Sequence, residues 1–382
     1  FMRDVRGVDD LKLRVSYGTT GNQGFSTNTA YRMYSKDSWT YYNGQWLTVY
    51  GLMHNQNRDM KWEIKKEFDV GLDFSLFNRR LSGRMDYFSR KIEDAIYSGI
   101  PVASPPAVYS TSTVNIGDIT NKGFEFELNG RVVDTRDWTF DTSLVGSFVG
   151  KSRLEGMAKD THMEFQPMPH GGGSAVRIFG GQEIGRYFLY RFAGVREEDG
   201  TPMIYSKDNK VIPYASGTDE DRVQTGNGLP KAVLSWNNTV RYRNWDLNLF
   251  FRSWLGQDVY NVTDMIQGVN CKITEGQNLL RTAYRRNKAI SNTDRLMLLD
   301  YWLEKGDFLK LDAVTLGYTL PRNKIKYVEK LRCYFTVRNV CTLTGYSGLD
   351  PEVNVNGLAP GFEGMSQYPR TRSFILGIEI GF

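Results

Sequence analysis

The chain has 382 residues and a net charge of +5 from 48 basic and 43 acidic residues; aromatics reach 13%, with 22 Tyr, 8 Trp and 38 Gly. The two signs of charge are interspersed with no block of five or six like charges, which gives nucleic-acid binding no support. Mean hydropathy is −0.45 and no long apolar run occurs, which excludes helical membrane spans; a β-barrel escapes that test, because its lipid-facing and lumen-facing residues alternate and average to a polar composition.

The chain opens FMRDVRGVDD, with neither a charged leader and apolar h-region nor a lipoprotein cysteine, so it reads as an internal start, the C-terminal part of a longer protein. Leu11, Leu13, Val15 and Tyr17 alternate with Lys12, Arg14 and Ser16 as a strand, followed by a long polar loop that holds WTYYNGQW, residues 39–46. Phe68, Val70, Leu72, Phe74 and Leu76 make one face of the next strand, which ends in a tight turn at Asn78 and Arg79. Leu81, Met85 and Tyr87 follow on the same outer face, before a Pro-rich loop through Pro101, Pro105 and Pro106.

The clearest hairpin sets Phe124, Phe126, Leu128, Gly130 and Val132 against Trp138, Phe140, Leu144, Gly146 and Phe148, around a turn at Asp134 to Asp137. Trp138 and Trp245 each sit directly after a turn, where an interfacial girdle places an amphipathic ring. Cys333 and Cys341 fall on one strand, eight residues and roughly 26 Å apart, too far to bridge each other; the third cysteine is Cys271. In the final stretch Phe374, Leu376, Ile378, Ile380 and Phe382 alternate, and the chain stops on an aromatic residue, as the closing strand and assembly signal of an outer-membrane barrel does.

Short turns alternate with long loops throughout, the asymmetry of an outer-membrane barrel with periplasmic turns and extracellular loops. The expected fold is therefore all-β: a transmembrane antiparallel β-barrel with spanning strands at about 11–18, 66–77, 81–95, 120–133, 138–149, 232–242, 245–256, 306–320, 331–342 and 369–382. Residues 150–231, including a hairpin near 187–205, are assigned to an extracellular excursion, since parity leaves them no single crossing. Leu309 and Leu311 share one phase and Val314, Leu316, Tyr318 and Leu320 the other, so either a bulge sits near Asp312 or the upper half stands above the membrane. The outer faces named above carry no Lys or Arg, each of which costs about 2–4 kcal/mol at the lipid midplane. Ten strands leave open edges that lipid cannot satisfy, so further strands from outside residues 1–382 are expected to close the barrel.

Seven segments, in order, resemble the SusC/RagA family of TonB-dependent outer-membrane transporters: LRVSYGTTGNQ (Leu13 to Gln23), Trp62 to Leu81, DYFSRKIEDAIY (Asp86 to Tyr97), NIGDITNKGFEFELNG (Asn115 to Gly130), GDFLKLDAVTLGYTLP (Gly306 to Pro321), VRNVCTLTGYSGLDPEV (Val337 to Val353) and YPRTRSFILGIEIGF (Tyr368 to Phe382). Cys341 departs from the small or aliphatic residue more usual in the family, and the loop at 258–300 carries no recognisable motif. The resemblance implies the C-terminal barrel portion of a plugged barrel of about 22 strands in the Gram-negative outer membrane. It also implies a SusD-like surface lipoprotein as lid, energy from TonB, and a plug domain and TonB box upstream. The implied cargo is a bulky nutrient, most often an oligosaccharide and in some members a peptide. A passive porin or adhesin barrel, and a secreted β-sandwich enzyme or lectin, are the competing readings from other classes.

No constellation of residues supports catalysis or a cofactor. His170 to Gly173 (HGGG) lacks a GxSxG nucleophile elbow, and Gly150, Lys151 and Ser152 lack the earlier Gly of a phosphate loop, so both read as loop tips. Asn237 to Thr239 and Asn261 to Thr263 match glycosylation acceptors, of little meaning in a bacterial-type barrel. His162 and His170 with Met163, Glu164 and Met168 offer soft ligands but read as a polar loop. The carboxylates Glu67, Asp69, Asp73, Asp86, Glu125 and Glu127, near Arg84 and Arg131, read as a solvated lumen network rather than acid–base pairs. For ligand binding the candidates are Trp39, Tyr41, Tyr42 and Trp46 with Asn43 and Gln45, aromatic faces beside amides that suit a pyranose ring. The alternative is that these rings contact the lid or brace their own loop.

Overall fold

Segments whose apolar residues recur at every second position pair into one antiparallel sheet, neighbour to neighbour in chain order. The computed structural model describes residues 5–382 apart from 103–106, 158–161, 169–172, 270–275, 277, 291–296, 322–326, 356 and 365–366. Ten strands form the path of the sheet: β1 (Val8–Asn22), β2 (Glu63–Leu76), β3 (Leu81–Glu93), β4 (Asp118–Asp134), β5 (Trp138–Val149), β6 (Ala232–Tyr242), β7 (Trp245–Leu255), β8 (Phe308–Thr319), β9 (Lys330–Thr344) and β10 (Ser373–Gly381). They correspond one for one to the strands expected from alternation. Bounds move outward where a partner continues, as at Asn22, whose amide donates to Glu63 at 2.6 Å.

Register carries one greasy face across all ten strands. Val15 lies opposite Val70, Val70 opposite Tyr87, Tyr87 opposite Phe124 and Phe124 opposite Phe148. On the other half Leu247 faces Leu316, Leu316 faces Phe335 and Phe335 faces Leu376. A slip of one residue in any pair would invert a whole strand, so this face fixes the register. Its side chains stay outside: Leu13 is 69% exposed, Phe374 66% and Leu376 80%, and Leu247 is half-buried among its neighbours. Such a continuous apolar surface in water would drive aggregation; hydrocarbon is the solvent it fits.

Both ends of this face are marked chemically. At the short turns an aromatic row runs through register partners Trp138, Tyr242, Trp245 and Tyr318, with Trp138 4.3 Å from Tyr242 and Trp245 4.8 Å from Tyr318 between ring centroids. At the long loops the same parity turns ionic: Lys66 stands opposite Lys91, and Glu93 contacts both at 2.7 and 3.3 Å, relieving the like-charge juxtaposition. Between these limits β5 runs from Trp138 to Phe148, roughly 33 Å of strand and, at a tilt of about 40°, roughly 25 Å of thickness, the height of an outer-membrane apolar band.

The bulge placed near Asp312 is present. Phe250 pairs with Ala313 and Phe251 with Leu311, which leaves Asp312 out of the ladder, and on the next strand Asn339 and Val340 are skipped between Arg338 and Cys341. The extra residue returns Leu309 and Leu311 to the greasy face. Cys333 and Cys341 share β9 as free thiols, on the same face; Cys271 lies outside the described residues.

A second kind of core is built from the long loops alone. Residues 150–231 form a six-stranded sheet in which Tyr187–Val195 pairs with Pro202–Tyr205 and with Arg222–Thr225. Its buried Val176, Ile178 and Leu189 pack with Tyr260, Leu299 and Trp302 from the segment between β7 and β8 and with Phe362 from that between β9 and β10. The Tyr187 hydroxyl donates to the carbonyls of Asp258 and Gly361, each 2.9 Å away, joining three loops at one point. The segment that resembled nothing in sequence, 258–300, thus contributes a strand Asp258–Tyr260 and a short helix Val262–Gln267, capped by Asn261, to this loop core. No helix among the described residues is long and apolar enough to cross a membrane.

Candidate ligand-binding surface

The six candidate binding residues lie in one β-hairpin, Tyr34–Tyr42 paired with Gln45–Leu52, rather than in irregular loop. Asn43 and Gly44 both take positive φ, 48° and 81°, the two-residue turn that Asn-Gly favours. Register then sorts the side chains. Tyr41 lies opposite Trp46 and Trp39 opposite Thr48 on one face, with the Tyr41 and Trp46 rings edge-on at 5.3 Å; Tyr42 lies opposite Gln45 on the other. Lys36 caps the Trp39 ring at 4.0 Å. Trp39, Tyr41, Tyr42 and Trp46 are all exposed, Trp46 at 66%. A three-ring platform on one side and a Tyr-Gln pair on the other replace the single cluster expected from spacing.

That hairpin does not stand alone. Its base is closed by the Met53 amide donating to the Met33 carbonyl at 3.0 Å, and the chain that continues from it carries Asn55 and Asn57. Asn55 donates to the carbonyls of Tyr109 and Thr111 and accepts from the amides of Val108 and Tyr109, while Asn57 donates to Thr113. Asn115 returns the arrangement, accepting from Lys61 and donating to the carbonyls of Lys61 and Asp94. Two long loops are thereby held as one unit.

The lumen-parity face is an ion network. Arg14 bridges Asp73 at 2.9 Å and Asp86 at 2.6 Å, Arg84 reaches Asp86 at 3.1 Å, and Arg90 meets Glu67 at 2.5 Å. Arg131 pairs with Asp141 at 2.9 Å rather than with the carboxylates named from sequence. Each of these carboxylates is met by a cation, and Asp73 and Asp86 share the Arg14 guanidinium between them.

Sequence reasoning missed the densest cluster. Lys310 of β8, only 1% exposed, donates to Asp350 at 2.8 Å and Glu352 at 2.9 Å; Arg252 of β7 holds Asp312 at 3.1 Å and Glu352 at 3.0 Å; Arg370 reaches Asp350 and Glu352, both at 2.9 Å. Burial opposes the charge on Glu352, but hydrogen bonds from Arg252 and Lys310 outweigh it and hold the carboxyl down at about 2. Three of the seven recognised motifs, those holding Lys310 and Asp312, Asp350 and Glu352, and Arg370, meet here. The available signal was a Lys and an Asp two residues apart inside an apolar strand, FLKLDAV.

The remaining motifs take structural roles. Gly150 leaves β5 with its amide on the Lys122 carbonyl at 2.7 Å, Lys151 pairs with Glu183, and Ser152 accepts from Asn121 at 2.7 Å. Met163 and Met168 are buried in the loop core, His162 stays at the surface 3.7 Å from Glu164, and Glu164 is taken by Arg177, so the described members of that set do not converge. His170, Gly171 and Gly172 of HGGG lie outside the described residues. Asn237 sits within β6 and Asn261 caps a helix. Phe374, Leu376, Ile378 and Ile380 line the exposed face of β10, and Phe382 follows them fully outward at 85%.

Comparison with known proteins places these features. A model of the TonB-dependent receptor-like β-barrel matches residues 7–340. Over its full length the chain is 28% identical to TonB-dependent receptor P3 of Formosa agariphila and 26% identical to TonB-dependent receptor SusC of Bacteroides thetaiotaomicron, covering 40% and 38% of those proteins. It therefore spans about 40% of the length of the curated relatives it matches. The solved RagAB peptide transporter superposes with a TM-score of 0.82 over 100% of this chain and 42% of that one, at 19% identity, which speaks for the fold.

Proposed function

The chain belongs to the TonB-dependent receptor-like β-barrel family of the outer membrane, and from that membership we propose that it is the C-terminal barrel portion of a SusC/RagA-type active importer. The family is one of receptors and transporters, not of enzymes. The observation that carries the reading is the greasy face that register runs from Leu13 to Leu376, interrupted by the Thr142 and Asn238 pair and bounded by aromatic rings at one end and ion pairs at the other. Its two edges support the partial-barrel view: among the described residues β1 pairs only with β2 and β10 only with β9, and backbone groups at such edges find no partners in lipid. In this reading the remaining part of the protein supplies the other strands, the plug and the TonB contact, and the loop core at 150–231 stands outside the cell.

The proposed cargo is an oligosaccharide, delivered under a SusD-like lipoprotein lid. Support comes from the Trp39, Tyr41 and Trp46 platform, whose exposed rings offer apolar faces of the size of a sugar's C–H face. A peptide cargo is the alternative within the family, since solved relatives of the same fold include a peptide importer. Titration calorimetry on the full-length transporter, with neutral oligosaccharides in one arm and a peptide digest in the other, separates them. Binding of saccharide that weakens at least tenfold in Tyr41→Ala/Trp46→Ala, and less in Tyr42→Ala on the opposite face, is expected. Binding of peptide alone, or saccharide affinity unchanged in the double variant, would count against the cargo or the platform respectively.

A further inference from the structure

We propose that the seam between the first two long loops is a saccharide subsite holding one ring of the cargo, below the aromatic hairpin; this rests on the oligosaccharide reading above. Two adjoining cavities of about 280 and 430 Å³ open along the seam and share His54, Asn55 and Ser112 as walls. Together they have the volume range of small-ligand sites. The smaller cavity is rich in hydroxyls, with Thr29 and Ser98 among its walls, and Ser112 is common to both; the larger adds the Gln56 amide and the Arg32 guanidinium. Among the described residues no carboxylate lines either cavity, in contrast to the larger lumen cavity beside Asp312. Short hydroxyl side chains and backbone groups at fixed positions are the partners that a polyhydroxylated ring requires.

The way the seam is closed argues against an extended peptide in the same place. Strand Thr111–Asn115 pairs with Ile96–Pro101 along one edge. On its other edge the carbonyls of Tyr109, Thr111 and Thr113, the alternate positions that an added strand would use, are already taken by the amides of Asn55 and Asn57. Side chains thus cap the edge that peptide recognition by strand addition needs free. The same amides fix the distance between the two loops, so the cavity is preformed, which lowers the ordering cost of binding. Because the hairpin base closes directly onto Met53, the ring platform and the hydroxyl-lined seam belong to one rigid unit, with stacking above and hydrogen bonding below.

The test uses the full-length transporter and the same two probes, neutral oligosaccharides and a peptide digest. Ser112→Phe fills the wall common to both cavities, and Thr29→Val removes one hydroxyl without changing size. The expected result is saccharide affinity reduced tenfold or more by Ser112→Phe and about threefold by Thr29→Val, with the heat-resistant barrel mobility of both proteins retained. If the parent binds saccharide and both variants bind it equally well, the subsite is wrong while the importer reading stands. Should Ser112→Phe fail to fold, Thr29→Val alone decides in the same two directions. A parent that binds only peptide, or neither probe, overturns the cargo reading and this subsite with it.

Discussion

The ammonium of Lys310 lies 2.9 Å from a carboxylate oxygen of Glu352, two residues 42 positions apart in the chain, and Lys310 is all but sealed from solvent. This contact ties the segment after β9 down onto β8. Removing Lys310 takes the most buried of three cations from this cluster and leaves Arg252 and Arg370 to compensate Glu352, so the cost falls below the about 3–5 kcal/mol of a fully unpaired buried charge. Lys310→Met is therefore expected to loosen residues 345–372 in the full-length protein, read as faster protease cleavage there. Lys310→Met/Glu352→Gln should recover part of the loss, because it removes both charges. Equal cleavage in Lys310→Met and parent would show that the cluster carries no such load.

Acid should undo the same contact. The Glu352 carboxyl titrates at about 2 in the folded protein against an ordinary 4.5, so its contribution is complete above the ordinary value and fades as pH falls from there toward 2. The linked stabilisation is roughly 3 kcal/mol at most. Cleavage of the 345–372 segment by an acid-tolerant protease should accelerate between pH 4.5 and 2 in the parent. In Glu352→Gln it should already be fast at neutral pH and vary little over that window; a parent profile as flat as the variant's would refute the linkage.

Alternation made the ten strands readable because lipid demands a strict period of two and register then copies one strand's pattern onto the next. The phase switch at Asp312 was legible too, as a bulge or as a rise above the membrane, and the ladder, which leaves Asp312 out, makes it the bulge. What could not be read was how loops meet. The Lys310 cluster joins residues from four separate stretches, and the loop core unites Tyr187, Tyr260 and Phe362 across more than 170 positions. Nothing periodic announces such contacts. The aromatic candidates were legible as a group, yet the split between Trp46 and Tyr42 depended on knowing that Asn43 and Gly44 make a two-residue turn.

A polar patch on the greasy face yields a third expectation. Asn238 and Thr142 share its parity, and the Thr142 hydroxyl donates to the Asn238 side chain at 2.8 Å while the Trp236 indole donates to Thr142 at 2.8 Å and lies over the pair. Trp236→Ala exposes both groups to lipid and is expected to cost about 1–3 kcal/mol, Trp236→Phe nearer 1 because the ring still covers them. Urea unfolding of the full-length protein in lipid vesicles measures both. The opposite order, or no loss in Trp236→Ala, would mean that the indole is not the cover.

The strictest check of the solvent assignment compares two adjacent residues of β10. Leu376 projects from the greasy face, opposite Phe335, whereas Ile375 pairs with Thr336 on the other face and is half-buried. A lysine facing hydrocarbon near midplane costs about 2–4 kcal/mol, while one facing a polar lumen costs far less. Leu376→Lys should therefore lower the folded fraction recovered in outer-membrane preparations, and reduce stability in vesicles by that amount, with Ile375→Lys close to parent. Because the two positions are neighbours on one strand and at one depth, the difference between them reports which face meets lipid. Equal losses at both, or a larger loss at Ile375, would place hydrocarbon on the wrong side of the sheet and remove the ground for reading this chain as a barrel wall.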